Sequence, residues 1–196
     1  MKKIIMVMAF AGFLSGCQVV DLVKQKMTPQ SSTQATKVET VEQNPQFQKL
    51  DEQFERVKQG GVEIEFNGEK YWKMTRAVKG EDPRFVSLAV SQDRTQRKSL
   101  TSDTLYLKDL GHEAGLTQSF LNSIKSTCEP QTQQWNGQIY YACSGQDAKR
   151  FIALVFKDRN ILSFRSLKSY QYLPTEAEEK AIVQALTAYP VDSMIR

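Results

Sequence analysis

The chain offers few side chains for covalent or metal chemistry. It has three cysteines, Cys17, Cys128 and Cys143, and a single histidine, His112. A thiol and an imidazole that meet in space can form a nucleophile and its base. Neither Cys128 nor Cys143 lies in a sequence context of that kind, and Leu110-Gly111-His112-Glu113 reads as a loop before a helix. One histidine without HExxH or CxxC spacing supplies no metal-ligand set, so no metal site and no cofactor are expected. GxSxG, Ser-x-x-Lys and phosphate-loop patterns are missing as well. Two carboxylate pairs, Glu63 with Glu65 and Glu81 with Asp82, have the residue types for glycan cleavage. The first shares a strand face with lysines and the second precedes Pro83, so both read as solvated. No catalytic residue is assigned, and the expectation is a protein that is not an enzyme.

Cys17 has a more specific setting. Lys2 and Lys3 open the chain, and Ile4 to Phe13 form an apolar run broken at Gly12. A bilayer span needs about 20 apolar residues, so this run has the length of a signal-peptide core. Leu14-Ser15-Gly16-Cys17 follows, and it resembles the lipobox of bacterial lipoproteins at all four positions. The resemblance implies cleavage before Cys17 by signal peptidase II, a diacylglyceryl thioether on the Cys17 thiol, and acylation of the new amino group. Palmitate is among the chains expected. Three acyl chains exceed the two needed for stable anchoring. Gln18 resembles the residue that follows the cysteine in outer-membrane lipoproteins, where Asp favours inner-membrane retention. The implied address is the outer membrane, with the domain in the periplasm or, alternatively, exposed at the surface.

With Cys17 lipidated, Cys128 and Cys143 remain as an even pair in an oxidising compartment, which reads as a disulfide. Cys143 lies on the returning strand of an Asn136-Gly137 hairpin, and counting back across the turn puts it opposite Glu129 or Pro130, beside Cys128.

The positioning elements divide the chain into 1–16 as signal peptide, 17–46 as lipidated N-terminus and flexible tether, and 47–196 as one domain. Residues 18–45 have no aromatic residue and are rich in Gln, Thr and Ser. Such a stretch does not bury enough apolar surface to offset its ordering entropy, and its coil span is roughly 30 Å. Val19, Val20, Leu22 and Val23 offer an alternative, a short amphipathic stretch on the membrane. From Phe47 onward no internal repeat or second linker stands out.

Phe47, Leu50, Phe54 and Val57 form a helical stripe over 47–59, stopped by Gly60-Gly61. Two strands, 62–66 and 69–78, flank the Asn67-Gly68 turn. A bulged turn pairing Val62 with Trp72 gathers Val62, Ile64, Trp72 and Met74 on one apolar face and is the favoured register. A two-residue turn instead pairs Ile64 with Tyr71 and turns Trp72 to the opposite face, under a helix or as an exposed patch. Residues 85–91 read as a strand, 91–103 as a polar loop and 104–108 as a short strand. A helix at 115–127, the second hairpin, strands 150–157 and 161–168, and a last helix opened by the Thr175–Glu178 capping box complete the order. Hairpin-length connections predict an α+β domain: a mainly antiparallel sheet of six to eight strands with three covering helices.

Charge narrows the partners. The 26 basic and 22 acidic residues give +4, and loss of Lys2 and Lys3 with residues 1–16 leaves 24 against 22. That balance does not point to nucleic acid. Arg94, Arg97 and Lys98, with Lys79 and Arg84 nearby, are the candidate partner-binding patch, and Trp72 the candidate aromatic contact. The resulting expectation is a non-enzymatic accessory or adaptor in a cell-envelope assembly, bound to the membrane through lipid and to an envelope protein. The alternatives are a small inhibitor or ligand-binding module using the aromatics around Tyr71, Trp72, Tyr140 and Tyr141, or an envelope hydrolase with an unrecognised site.

Overall fold

The computed structural model describes residues 45–192, so the expected signal peptide, Cys17 and most of the tether lie outside the described residues. Within that range helix α1 (Pro45–Gly60) leads into strands β1 (Val62–Phe66), β2 (Glu69–Val78), β3 (Arg84–Ser91) and β4 (Lys98–Tyr106). A short 3-10 turn at Leu110–His112 precedes α2 (Glu113–Lys125), then β5 (Gln131–Trp135), β6 (Gln138–Cys143), β7 (Arg150–Asp158), β8 (Ile161–Ser169) and α3 (Glu176–Ala188). All eight strands join one antiparallel sheet in the order β1-β2-β3-β4-β8-β7-β6-β5. The α+β architecture expected from the hairpin-length connections is the architecture found. No helix among the described residues is long and apolar enough to cross a membrane.

Each half of the sheet is a helix followed by a four-strand meander, and the halves meet where β4 pairs with β8. This repeat was not apparent in the sequence. A shift of 69 positions carries Asn67-Gly68 onto Asn136-Gly137, and all four residues have positive φ, between 48° and 78°. That is the type I′ hairpin turn that Asn-Gly favours. The same shift carries Phe66 onto Trp135, Tyr71 onto Tyr140, and Met74 onto Cys143. At the β4–β8 seam, Lys98 pairs with Ser169 and Ser102 with Arg165, on either side of the Leu100–Leu167 pair. A buried cation therefore faces a buried serine twice. Backbone geometry repeats while most side chains differ, which is why periodicity in the sequence is faint.

Helices cover both faces of the sheet. On one face, α1 packs Leu50, Phe54 and Val57 against Trp72, Leu88 and Val90. On that same face, α2 sets Leu116 and Phe120 over Leu105, Leu162 and Phe164, and Ile124 over Phe151 and Ala153. On the other face, Ile182, Val183 and Leu186 of α3 cover a row in which Ala89, Leu100, Leu167, Ile152 and Ala142 face one another across four strand pairings.

Two layers explain two departures from expectation. The first hairpin has the two-residue turn, with Val62 opposite Lys73 and Ile64 opposite Tyr71, not the bulged register. Gathering the apolar residues on one face has no advantage when both faces are buried. Phe66 and Tyr71 serve the α3 side, and Trp72 the α1 side. The stretch read as a polar loop ending in a short strand is a loop only over 92–97, and Lys98–Tyr106 is nine residues of central strand β4. Its Ser99, Ser102 and Thr104 are buried, and their hydroxyls find one another and Ser163 or Tyr170 at 2.9–3.3 Å. Hydroxyl pairing replaces apolar alternation there, so hydropathy reads it as a loop.

Candidate functional site at the overhang of β2

Strand β1 has five residues and β2 has ten. Pairing between them ends at Val62 and Lys73, and Met74–Val78 continues bonded to β3 alone. The chain leaves this edge through Gly60-Gly61. A Cβ on Gly61 would lie 2.5 Å from the Val57 carbonyl oxygen and 2.9 Å from that of Lys73, so α1 passes into β1 with no room for a side chain. The outer edge of β2 beyond Lys73 thus has no strand beside it among the described residues.

A cleft of about 600 Å³ lies along this edge. Val62 and Ile64 form one wall, Thr75, Ala77 and Phe85 the floor, and Pro190 with Val191 the far wall. Its depth comes from small residues. Thr75 pairs with Ser87 and Ser87 with Ser102, while Ala77 pairs with Phe85 and Phe85 with Thr104. Apart from Phe85 these side chains are short, and they leave a depression that the segment after α3 crosses. Val62 is 59% exposed and Met74 39% exposed, the two apolar residues flanking the opening.

An ion pair closes the head of the cleft. Lys73 Nζ donates to Asp192 Oδ1 at 2.5 Å, and Ser87 Oγ donates to Asp192 Oδ2 at 2.9 Å. The Asp192 side chain is 3% exposed and that of Lys73 15%. Burial pulls the Lys73 ammonium down, but Asp192 and the neighbouring Tyr189 outweigh it and hold the group above its ordinary value. The Lys73 ammonium also lies 4.8 Å from the Tyr189 ring centre. Behind the ion pair, Arg165 is fully buried. Its Nη1 donates to the carbonyls of Leu186 and Thr187 at 2.7 and 2.9 Å, capping the C-terminal end of α3, and its Nε donates to Ser163 Oγ at 3.2 Å. Burial draws it down to about 10, opposed by the charges of Asp192 and Tyr189, and it stacks 4.0 Å from the Phe156 ring centre. These groups fasten the segment after α3, through Asp192, to the sheet and shape one wall of the cleft.

The residues singled out in the sequence are not brought together here. Arg97 grips Asp51 through Nε at 2.8 Å and Nη2 at 2.9 Å, and Arg94 reaches Asp51 at 3.3 Å and also pairs with Glu55. Both guanidinium groups lie over aromatic rings of α1, Arg94 over Phe54 and Arg97 over Phe47. The two arginines thus clip α1 to the sheet. Lys98 is buried in β4, donating to Glu69 Oε1 at 2.5 Å beneath the Tyr172 ring. Trp72 is half-buried beneath α1. Tyr71 and Tyr140 are core residues, and Tyr141 packs beside the disulfide.

Cys128 and Cys143 are bonded, with Cα atoms 6.0 Å apart, joining the end of α2 to β6. The bond takes both thiols, so neither of these cysteines is free for His112, on the exposed 3-10 turn, to activate. Glu63 accepts hydrogen bonds from Gln92 and Lys70, which hold its carboxyl below the usual range, the reverse of what a general acid needs. Asp82 accepts the Lys108 amide. Sequence reading did not single out Lys73, Asp192 and Arg165 as a group. Their partners are too distant in the chain for spacing to reveal.

No protein-family model, curated protein or solved structure matches the chain.

Proposed function

We propose that the chain is an outer-membrane lipoprotein facing the periplasm, anchored through Cys17, whose domain is a non-enzymatic adaptor that docks an envelope protein in the β2 cleft. The observation carrying this reading is the unpaired half of β2 beside an apolar, half-open cleft. The charged residues lining it, Lys73 and Asp192, are engaged with each other in holding the fold. Anchoring by lipid raises the local concentration of the domain for membrane-bound partners without new contacts. The experiment has two arms. Labelled palmitate should enter the wild-type chain but not Cys17→Ser, which should leave the membrane fraction. A photoreactive residue at position 75 should crosslink one defined envelope protein in cells, and one at the Arg159 turn should not. Unlabelled wild-type chain rejects the anchor, and absence of any crosslink at position 75 rejects the docking surface. A second reading is a small-ligand module, supported by a volume within the roughly 300–1,000 Å³ of ligand sites.

A further inference from the structure

The free edge has a backbone chemistry of its own. Met74–Val78 covers roughly 17 Å of extended chain at about 3.4 Å per residue. On one side its amide and carbonyl groups satisfy β3, and on the other they have no strand partner among the described residues. An edge of this kind is a template for another strand. It is also specific to one half of the molecule. In the second half, the position matching Met74 is Cys143, where β6 ends and the disulfide closes the structure. Strand β2 runs past that point and β6 does not, so the overhang is an addition to the repeat.

Side chains along the edge define what would fit. Thr75 and Ala77 point to the cleft side, where a neighbouring strand's residues would meet Val62, Ile64 and Val191. Small or medium apolar residues suit those positions. The alternate position, Arg76, points to the other side. It is exposed, and no carboxylate among the described residues lies within ion-pair distance of it. Two nearby cations on the paired strands differ, since Arg84 is held by Asp103 and Lys73 by Asp192. An acidic residue opposite Arg76 would complete the edge.

We propose that the overhang of β2 accepts an added strand: an extended segment of a partner protein, antiparallel to β2, with apolar residues facing the cleft and an acidic residue against Arg76. This rests on the reading of the cleft as a docking surface and names the chemistry of its occupant. Backbone pairing supplies affinity, and alternate side chains supply selectivity.

The test uses the mature full-length chain in detergent and the peptide Ser-Val-Glu-Val-Glu-Val-Ser, blocked at both ends. Binding should slow amide exchange at Thr75 and Ala77, whose amides face away from β3. Replacing both glutamates by lysine should weaken binding about tenfold for the wild-type protein, and Arg76→Glu should reverse that preference. A peptide with proline at its central valine should not bind, because it lacks the pairing amide. Three results would overturn the proposal: no added protection at Thr75 and Ala77, unchanged preference in Arg76→Glu, or a concentration-dependent dimer already protecting these two amides without peptide. In the last case a second copy of this chain occupies the edge. The docking reading is tested separately by the in-cell crosslink from position 75, which can succeed even if the added-strand geometry fails.

Discussion

Lys73 Nζ lies 2.5 Å from Asp192 Oδ1, joining β2 to a carboxylate 119 residues downstream. The contact fixes the last described residue of the chain to the sheet and builds the head of the cleft. Its position matters because Lys73 also marks where β1 stops pairing and the free edge of β2 begins.

Asp192→Asn should destabilise the fold by about 3 kcal/mol, since it leaves the Lys73 charge in a site from which water is largely excluded. The measure is the urea midpoint. Lys73→Met paired with Asp192→Asn should recover part of the loss by removing the uncompensated charge. A single-variant midpoint equal to wild type would show that this pair does not hold the segment after α3 to the sheet.

Asp51 should titrate below its ordinary 3.8. Hydrogen bonds from Arg97 lower it most, burial opposes them, and the charges of Arg97 and Arg94 add to the lowering. A carboxyl depressed in the folded state contributes stability that is fully present above its unfolded value and lost as pH falls through the folded one. Acidification below about 3.8 should therefore loosen α1 before the sheet melts. In Arg97→Gln, carbon-detected NMR should find Asp51 back near its ordinary value, with faster amide exchange in α1. An unmoved Asp51 would show that the arginine clip is not what holds it.

The cap of α3 makes a second acid-range prediction. Tyr172 and Thr175 donate to Glu178 and bring its carboxyl from 4.5 to about 2. The capping contribution is present above about 4.5 and declines as pH falls towards 2. Thr175→Ala should cost about 1 kcal/mol at neutral pH, the usual worth of a threonine cap, and should flatten the acid limb of the stability curve. Identical acid limbs in wild type and variant would remove the cap as its source.

Reduction, or Cys128→Ser with Cys143→Ser, should cost about 3 kcal/mol for closure of a loop of 15 residues. Thermal unfolding of the double variant against the oxidised chain measures it. Mass analysis of the mature protein under non-reducing conditions should find no free thiol at either position, and two free thiols would contradict the pairing.

How much of this was legible in the sequence depended on how local the cause was. The Asn-Gly turns, the Thr175–Glu178 cap and the proximity of Cys128 to Cys143 are set by neighbours within one turn or hairpin, and each is where the residues placed it. Strand β4 was not legible, because its buried Ser99, Ser102 and Thr104 look solvated until hydroxyls from β8 and Tyr170 arrive beside them. The cations at 94, 97 and 98 looked like an outward patch until Asp51, Glu55 and Glu69 met them from other elements.

By itself the amino-acid order determined the helix stripes, the turns, the capping box, the hairpin framework for the disulfide and the α+β class, since each follows from backbone preference or short-range periodicity. Only the tertiary structure decided which face each strand turned to which layer, which charges neutralised one another, and where the sheet was left incomplete. Those outcomes depend on contacts between residues dozens to more than a hundred positions apart. The hydrogen bonds along one half of β2 remain free because β1 is five residues shorter, a mismatch that has meaning only once the strands lie side by side.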